Sequence, residues 1–259
     1  MLELNCVRVG YGENILINEV TAKLPAGALV TLIGANGAGK STLLRVLSGV
    51  MSPMSGNVTV DGKNLTDVPK RELARLVSIV NTEKLLVDGL TVCDVVSMGR
   101  YPYTGFMGRL GREDETIVMR AMEATGVARF GNRNVSSLSD GERQKVMIAR
   151  AVAQQTPVIL LDEPTAFLDV ASRVEVLSLL RELAVTEHKG VLLSSHDVPS
   201  ALELSDYIWL LPGDGTLRVD TPDNLIKHHE NRTPGNALDV LFAGRAVKFD
   251  AVRRDYVKK

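Results

Sequence analysis

The length, composition and charge of the chain indicate a globular protein and exclude several other classes. The sequence has 259 residues, 45% hydrophobic and 24% charged, which are ordinary globular proportions. Its 30 basic and 31 acidic residues nearly cancel, so no excess of positive charge predicts binding to nucleic acid or to an anionic membrane. The apolar runs are strand-sized, whereas a membrane helix needs about 20 residues. The N-terminus lacks the apolar core of a signal peptide, and two distant cysteines fit a reducing cytoplasm.

The first sixty residues predict short strands around one strand–loop–helix unit. Residues 2–9 alternate between apolar and polar, as a half-buried strand does, and residues 15–24 partly alternate. Residues 28–33 form a continuous apolar run, which is typical of a strand covered on both faces. A glycine-rich loop and a predicted helix over 41–50 follow, and residues 56–61 predict another antiparallel strand.

The remainder of the chain predicts a helical insertion and then a parallel sheet. Helical spacing over residues 112–125 indicates that the segment from about 91 to 137 is mostly helical. Beyond it, helix and strand alternate, which favours a parallel sheet with helices on both faces; the predicted elements are 141–154, 158–161, 172–186 and 191–194. The polar tail from about 221 predicts a short helix and a possible hairpin over 247–257.

The loop after the apolar run predicts a phosphate-binding site. Residues 34–41 fit the pattern G-x-x-x-x-G-K-[ST] in full, with a strand before them and a helix after them. Glycines let backbone N–H groups turn towards phosphate oxygens, Lys40 supplies positive charge, and the Ser41 hydroxyl can bind Mg²⁺. The candidate nucleotide-binding residues are Gly34, Asn36, Gly37, Ala38, Gly39, Lys40, Ser41 and Thr42.

A second candidate site lies at the end of the strand predicted over 158–161. The strand is followed by Asp162 and Glu163, and carboxylates at the carboxyl edge of a parallel sheet face the ligand crevice. Asp162 is predicted to hold Mg²⁺ through water, and Glu163 to act as the general base on the attacking water.

With these two motifs in place, the sequence closely resembles the ABC-type ATPase family. Leu138, Ser139, Asp140, Gly141 and Glu142 stand where the family has its LSGGQ signature. Asp169 resembles the aspartate of the D-loop, His196 the switch histidine, and Tyr11 the aromatic that stacks on adenine. The motifs occur in family order over residues 1–220. The resemblance implies an α/β P-loop fold with an N-terminal antiparallel region, a helical subdomain at about 85–140 and a C-terminal extension over 221–259.

The family resemblance also implies a mechanism and a dimer. ATP and Mg²⁺ are the expected cofactors, and two copies of the chain are expected to pair head to tail. Each ATP would lie between the Lys40 loop of one copy and Ser139 and Gly141 of the other. The N-terminus of a helix suits this role because its N–H groups and dipole favour an anion. Asp169 would organise the dimer contact, and His196 would bind the γ-phosphate.

Two positions depart from the family pattern. Asp140 replaces the usual glycine of the signature, and its carboxylate is expected to turn away from a phosphate. Thr82 stands at the position of the Q-loop glutamine, although an alignment shifted by one residue places Asn81 there. A hydroxyl is shorter than a glutamine side chain, so we expect this departure to bear on the contact with metal and on the coupling rather than on nucleotide binding.

Residues 90–105 resemble the ATPases of importers for iron–siderophores, haem and cobalamin. The resembling feature is Gly99-Arg100-Tyr101-Pro102, and Leu241-Phe242 also fits that group. The resemblance implies two membrane-spanning permease subunits, an extracytoplasmic substrate-binding protein and a peripheral position on the cytoplasmic face of the cell membrane. Tyr101, Pro102, Tyr103 and Phe106 form a cluster that either packs against the permease or makes a small local core.

Two other functions are compatible with parts of the pattern. One is an ABC-type ATPase uncoupled from transport, such as the iron–sulfur cluster assembly type. The other is a regulatory module that binds ATP without turnover, which the intact set of Lys40, Asp162, Glu163 and His196 disfavours. The tandem His228-His229 is interpreted as solvated surface rather than as a metal site, because adjacent side chains diverge on a helix.

Overall fold

The computed structural model describes residues 1–81, 89–105, 108–226, 237–242, 247–250 and 253–258. Three β-sheets and eight α-helices lie within these ranges. The strands are β1 (Leu2–Tyr11), β2 (Asn14–Leu24), β3 (Leu29–Gly34), β4 (Ser55–Val60), β5 (Lys63–Asn64), β6 (Val77–Val80), β7 (Val158–Leu161), β8 (Gly190–Ser195), β9 (Tyr207–Leu211), β10 (Arg218–Asp220), β11 (Val247–Asp250) and β12 (Asp255–Lys258). The helices are α1 (Lys40–Leu47), α2 (Lys70–Leu76), α3 (Val92–Ser97), α4 (Arg112–Ala124), α5 (Asp140–Ala153), α6 (Val170–Thr186), α7 (Val198–Leu204) and α8 (Pro222–Ile226).

The central sheet has the strand order β10-β9-β3-β8-β7-β6. The four pairings among the five strands from β9 to β6 are parallel, and only the edge strand β10 is antiparallel. The carboxyl ends of β3, β8 and β7 therefore lie side by side at one edge of the sheet. Ligands bind outside this edge in open α/β sheets, so the order of the strands positions the site.

Both faces of the central sheet are covered, which explains its continuous apolar strands. Along β7, Ile159 and Leu161 belong to one core cluster and Val158 and Leu160 to another. The first cluster includes residues of α3, α4, α5 and α6, and the second includes residues of α1 and the N-terminal sheet. Strands buried on both faces lack polar alternation, as the sequence predicted for this part of the chain.

The N-terminal antiparallel sheet has the order β2-β1-β4-β5, which confirms the predicted mixture of antiparallel strands and one strand–loop–helix unit. The predicted α/β class is likewise confirmed by the central sheet and its helices. The observed bounds differ by one to three residues from several predictions: α6 begins at Val170 rather than Ser172 because Asp169 caps it by accepting a hydrogen bond from the Ser172 N–H.

The segment between Thr91 and Ser139 combines helices with turns and irregular stretches where the structure describes it. It contains α3 and α4 and three short 3₁₀ turns, Met98–Arg100, Ala128–Phe130 and Val135–Ser137. The tail forms α8, a 3₁₀ turn over Ala237–Phe242 and the predicted hairpin of β11 and β12. No helix of the described ranges has both the length and the apolarity to cross a membrane.

Candidate functional site

The phosphate loop connects β3 to α1 and lines a pocket of about 290 Å³. Gly37 and Gly39 have φ angles of 79° and 97°, left-handed conformations that side chains rarely adopt. These angles turn the loop back before the helix begins. The pocket is lined by Leu16, Asn36, Gly37, Gly39, Lys40, Ser41, Thr42, Glu163 and His196.

Lys40 opens α1 with its ammonium group held inside the loop. Its Nζ donates hydrogen bonds to the carbonyl oxygens of Gly34 at 2.9 Å and Ala35 at 3.3 Å. Burial lowers the pKa of Lys40, while the negative charges of Glu163 and Asp162 oppose the shift. A partly desolvated cation gains stabilisation from an incoming anion, so the site is poised for phosphate oxygens.

Asp162 and Glu163 follow β7 and are oriented by one hydroxyl of the neighbouring strand β8. The Ser194 Oγ donates to Asp162 Oδ1 at 2.7 Å and accepts from the Glu163 N–H at 2.8 Å. Glu163 has a φ of 45°, which is rare for a residue with a side chain and which the bond to Ser194 helps to hold. Sequence analysis missed Ser194; its position two residues before His196 at the end of β8 was the available signal.

His196 follows β8 and faces Glu163 across the site. Its Nε2 lies 2.5 Å from Glu163 Oε1, and their side chains are 47% and 27% exposed. Both residues also line a second cavity of about 340 Å³ that extends towards Arg173, Asp197 and Tyr256. The structure thus brings the phosphate loop, the carboxylate pair and the histidine together, because β3, β8 and β7 are adjacent.

Oxygen donors for Mg²⁺ are present at the same edge. The Ser41 hydroxyl lines the loop pocket, and the Asp162 carboxylate lies close enough to Lys40 to affect its pKa. Hydroxyl and carboxylate oxygens are the ligands that Mg²⁺ prefers, so this donor set fits the ion.

Tyr11 stands beside the phosphate loop and is 48% exposed. Its hydroxyl lies 3.5 Å from Thr42 Oγ1 and accepts from Arg45 at 3.5 Å. Both hydrogen bonds lower the pKa of Tyr11, and the bond to Thr42 has the larger effect. The exposed ring is available for stacking at the loop, and its role in binding adenine stays a prediction.

The signature residues lie at the start of α5, away from the pockets around Glu163. Ser139 caps the helix, and Glu142 bonds back to the Ser139 N–H at 2.9 Å, which lowers the pKa of the Glu142 carboxyl. Asp140 is 42% exposed and pairs with Arg143 at 2.8 Å. A Cβ at Gly141 would lie 2.8 Å from Ser172 Oγ, so glycine lets α5 approach the start of α6. Leu138, the first residue of the signature, is buried.

Asp169 of the predicted D-loop is exposed and caps α6 through Ser172. The bonds from the Ser172 backbone and hydroxyl lower the pKa of Asp169. Thr82, the predicted Q-loop position, lies outside the described residues, as do His228 and His229.

The aromatic cluster after α3 divides into two parts. Tyr103 is packed locally: its hydroxyl donates to the Gln154 carbonyl at 2.9 Å, and the Arg100 guanidinium lies 3.9 Å from its ring centroid. Tyr101 is 58% exposed. Phe106 lies outside the described residues. The local-core interpretation therefore holds for Tyr103, and Tyr101 remains a candidate for a partner contact.

A glycine-rich loop between a buried strand and a helix, with carboxylates on a nearby strand end, defines a P-loop nucleotide hydrolase. The family model described as ABC transporter matches residues 17–166, which is more than half of the chain. The chain belongs to the ABC transporter family, and it is an ATPase of that type.

Curated relatives support this membership along most of the chain. The petrobactin import ATP-binding protein of Bacillus anthracis is 39% identical over 207 residues, covering 80% of this chain and 76% of the relative. The ferric enterobactin transport ATP-binding protein of Escherichia coli is 37% identical over 220 residues, covering 84% of this chain and 80% of the relative. A cobalamin import ATP-binding protein of Halobacterium salinarum is 40% identical over 232 residues, covering 86% of this chain and 57% of the relative.

Solved structures show the same fold. A metal-chelate-type ABC transporter in an inward-facing conformation superposes with a TM-score of 0.76 at 29% identity, covering 86% of this chain and 84% of that one. A bacterial ABC transporter cassette solved as a dimer superposes with a TM-score of 0.72 at 28% identity, covering 86% of this chain and 99% of that one. The same cassette was also solved in a post-hydrolysis state bound to ADP and Pi.

Proposed function

We propose that this protein is the ATP-hydrolysing subunit of an importer for an iron chelate, haem or cobalamin. The observation that carries the proposal is the convergence of Lys40, Glu163 and His196 on one pocket in a chain whose relatives are import or transport ATP-binding proteins. The names of these relatives give petrobactin import, ferric enterobactin transport and cobalamin import as their functions. The iron-chelate and cobalamin parts of the proposed cargo class follow from these relatives, and haem follows from the resemblance of residues 90–105 to that group of importer ATPases.

The proposed chemistry is positioning and charge stabilisation of the γ-phosphate of ATP. The Lys40 ammonium and the backbone N–H groups of the loop bind phosphate oxygens. Ser41 and Asp162 would hold Mg²⁺, which neutralises phosphate charge when it is bound. Glu163 accepts a proton from the attacking water as general base. His196, within contact of Glu163, hydrogen-bonds the γ-phosphate and keeps the carboxylate aligned.

The proposed active form is a head-to-tail homodimer. The exposed capped start of α5 at Ser139 offers N–H groups for the γ-phosphate bound by the other copy. Apolar side chains flank the D-loop at the surface: Phe167 is 68% exposed, Val170 74% and Val174 50%. Contact with a second copy would remove these side chains from water, and Asp169 lies among them.

The proposed assembly includes two membrane-spanning permease subunits and an extracytoplasmic substrate-binding protein. In this arrangement the protein is peripheral on the cytoplasmic face of the cell membrane. The exposed Tyr101 lies at the end of the short 3₁₀ turn after α3, in the segment proposed to receive the permease.

Reconstitution of the protein with its permease subunits in vesicles tests the proposal. Mg²⁺-dependent ATP hydrolysis is expected from the protein alone, and stimulation is expected when the permease and a loaded binding protein are present. In cells, deletion of the protein is expected to abolish uptake of one labelled cargo among a ferric siderophore, haem and cobalamin. Unchanged uptake of all three, with hydrolysis unaffected by any membrane subunit, would favour an ATPase uncoupled from transport.

A further inference from the structure

The C-terminal hairpin of β11 and β12 reaches the segment that carries His196. The hydroxyl of Tyr256, on β12, accepts a hydrogen bond from the Val198 N–H at 3.2 Å. The same hydroxyl donates to the His196 carbonyl oxygen at 3.4 Å. One side chain thus bridges the backbone of His196 and the first residue of α7, from sixty positions further along the chain.

The hairpin is anchored well enough to position this hydroxyl. Phe249 of β11 is 3% exposed and belongs to the same core cluster as Val198 and Leu202 of α7. The rings of Phe249 and Tyr256 meet edge to face with their centroids 6.3 Å apart. The Tyr256 ring is therefore placed by packing against the hairpin itself, and its hydroxyl is the group that reaches His196.

The His196 segment is also held by contacts of its neighbouring residues. Asp197 pairs with Arg173 of α6 at 2.9 Å, and its N–H donates to Ser195 Oγ at 3.0 Å. Tyr256 and Arg173 line the 340 Å³ cavity that Glu163 and His196 share. Two elements thus hold the short turn between β8 and α7, and Tyr256 supplies the direct contact with the carbonyl of His196.

We propose that Tyr256 is a positioning residue for ATP hydrolysis and acts through His196. Its hydroxyl fixes the backbone of His196 and so directs the imidazole towards Glu163 and the γ-phosphate. The inference rests on the proposed role of His196. Burial is the main cause that raises the pKa of Tyr256, so at neutral pH the hydroxyl keeps the proton that it donates.

The substitution Tyr256→Phe tests the inference because it removes the hydroxyl and keeps the packed ring. The kcat for ATP is expected to fall about three- to tenfold, the range that the loss of one or two hydrogen bonds gives, with KM within about twofold. The unfolding midpoint, followed by the fluorescence of the buried Trp209, is expected to fall by no more than about 5 °C, the shift that the loss of one or two hydrogen bonds gives in a chain of this size. The control Tyr207→Phe removes a hydroxyl on β9 outside both pockets and is expected to leave kcat unchanged.

A double-mutant cycle separates this inference from the proposed function. Under single-turnover conditions, His196→Ala is expected to slow hydrolysis strongly, and adding Tyr256→Phe is expected to slow it no further. Normal hydrolysis by His196→Ala would overturn the proposed role of His196. An unchanged kcat for Tyr256→Phe, or an equal decrease in both backgrounds, would overturn the positioning role alone. A loss of activity that disappears when the rates are corrected for the folded fraction would assign Tyr256 to stability instead.

Discussion

Glu163 combines three features of a residue held for chemistry: an unusual backbone angle, a backbone bond to Ser194 and a close contact with His196. A residue in a sparsely populated conformation persists only where its surroundings hold it, and such residues concentrate at functional sites. Of the two carboxylates, Glu163 is the one whose side chain contacts His196. Asp162 is directed by Ser194 and lies near the loop lysine.

Replacement of the proposed general base should separate ATP binding from hydrolysis. We expect Glu163→Gln to bind ATP and to stabilise the closed dimer, because the amide keeps the shape of the side chain. The turnover number should fall about 100-fold or more, since a positioned base contributes that range. Steady-state ATPase assays and size-exclusion chromatography with ATP measure both effects. Glu182→Gln, an exposed position of α6, serves as the matched control, and near-normal turnover of Glu163→Gln would contradict the assignment.

Ser194 offers a second prediction at this scale, because its hydroxyl orients both carboxylate residues. Ser194→Ala removes the bonds to Asp162 and to the Glu163 N–H, and turnover is expected to fall about tenfold or more, since bonds to charged groups contribute about 1.5–3 kcal/mol. Ser205→Ala is the matched control: it removes a buried hydroxyl bonded to Thr31 at 2.6 Å, far from the carboxylates in the sequence. Equal ATPase rates for the two variants, each corrected for the folded fraction, would argue against the orienting role.

At the scale of elements, Arg100 connects the helical segment to the end of α5. Its guanidinium bonds to Asp114 at 2.9 Å, to the Ala153 carbonyl at 2.8 Å and to Gln155 at 2.8 Å, and it is 4% exposed. The preceding Gly99 permits this approach, because a Cβ there would lie 2.3 Å from a backbone oxygen of α5. Gly99 and Arg100, which resemble the corresponding residues of importer ATPases, thus also pack the helical segment against α5.

Asp114→Asn should weaken the attachment of α4 to this arginine. We expect a loss of about 1–3 kcal/mol in the free energy of unfolding, because a buried guanidinium loses its charged partner. The N–H of Gly111 and then Arg100 hold the pKa of Asp114 below its usual 3.8. A carboxyl whose pKa is lower in the folded than in the unfolded protein stabilises the fold at pH values above its unfolded pKa. That stability is lost as the pH falls through the folded pKa.

Denaturant unfolding between about pH 7 and pH 3 checks this prediction. The difference between wild type and Asp114→Asn should be largest near neutral pH and should shrink below about pH 4. Glu115→Gln, an exposed position in the same first turn, should show neither effect. A difference that is independent of pH would show that packing rather than charge accounts for the loss.

At the scale of the whole molecule, we expect Tyr101 to contribute to cargo uptake and Tyr103 to contribute to the stability of the fold. Tyr101→Ala is expected to reduce cargo uptake by the reconstituted complex while ATP hydrolysis by the isolated protein stays within about twofold, because the side chain is 58% exposed. Tyr103→Ala is expected to lower the unfolding free energy by about 2–4 kcal/mol through lost packing and hydrogen bonding. Uptake assays and thermal unfolding of both variants test the contrast. Normal uptake with Tyr101→Ala would remove this residue from the proposed permease contact.

The sequence predicted the α/β class and the positions of the loop, carboxylate pair and histidine because each is a local pattern. An apolar run followed by Gly34–Lys40 or by Asp162-Glu163 indicates a strand end by itself. The order of the strands is not local. Only the tertiary structure showed that β3, β8 and β7 are neighbours, which is why three motifs separated by more than 150 residues line one pocket.

Contacts between distant segments were decided by the tertiary structure alone. Ser194 and Tyr256 belong to no recognisable sequence motif. They lie at the site because β8 packs beside β7 and the hairpin packs on α7. The sequence left Tyr101 and Tyr103 equivalent, and packing separated them. The sequence thus determined which residues are equipped for phosphate chemistry, since residue types and short spacings encode it. Burial and long-range hydrogen bonding decided how those residues are oriented, because these depend on segments that meet only in the folded chain.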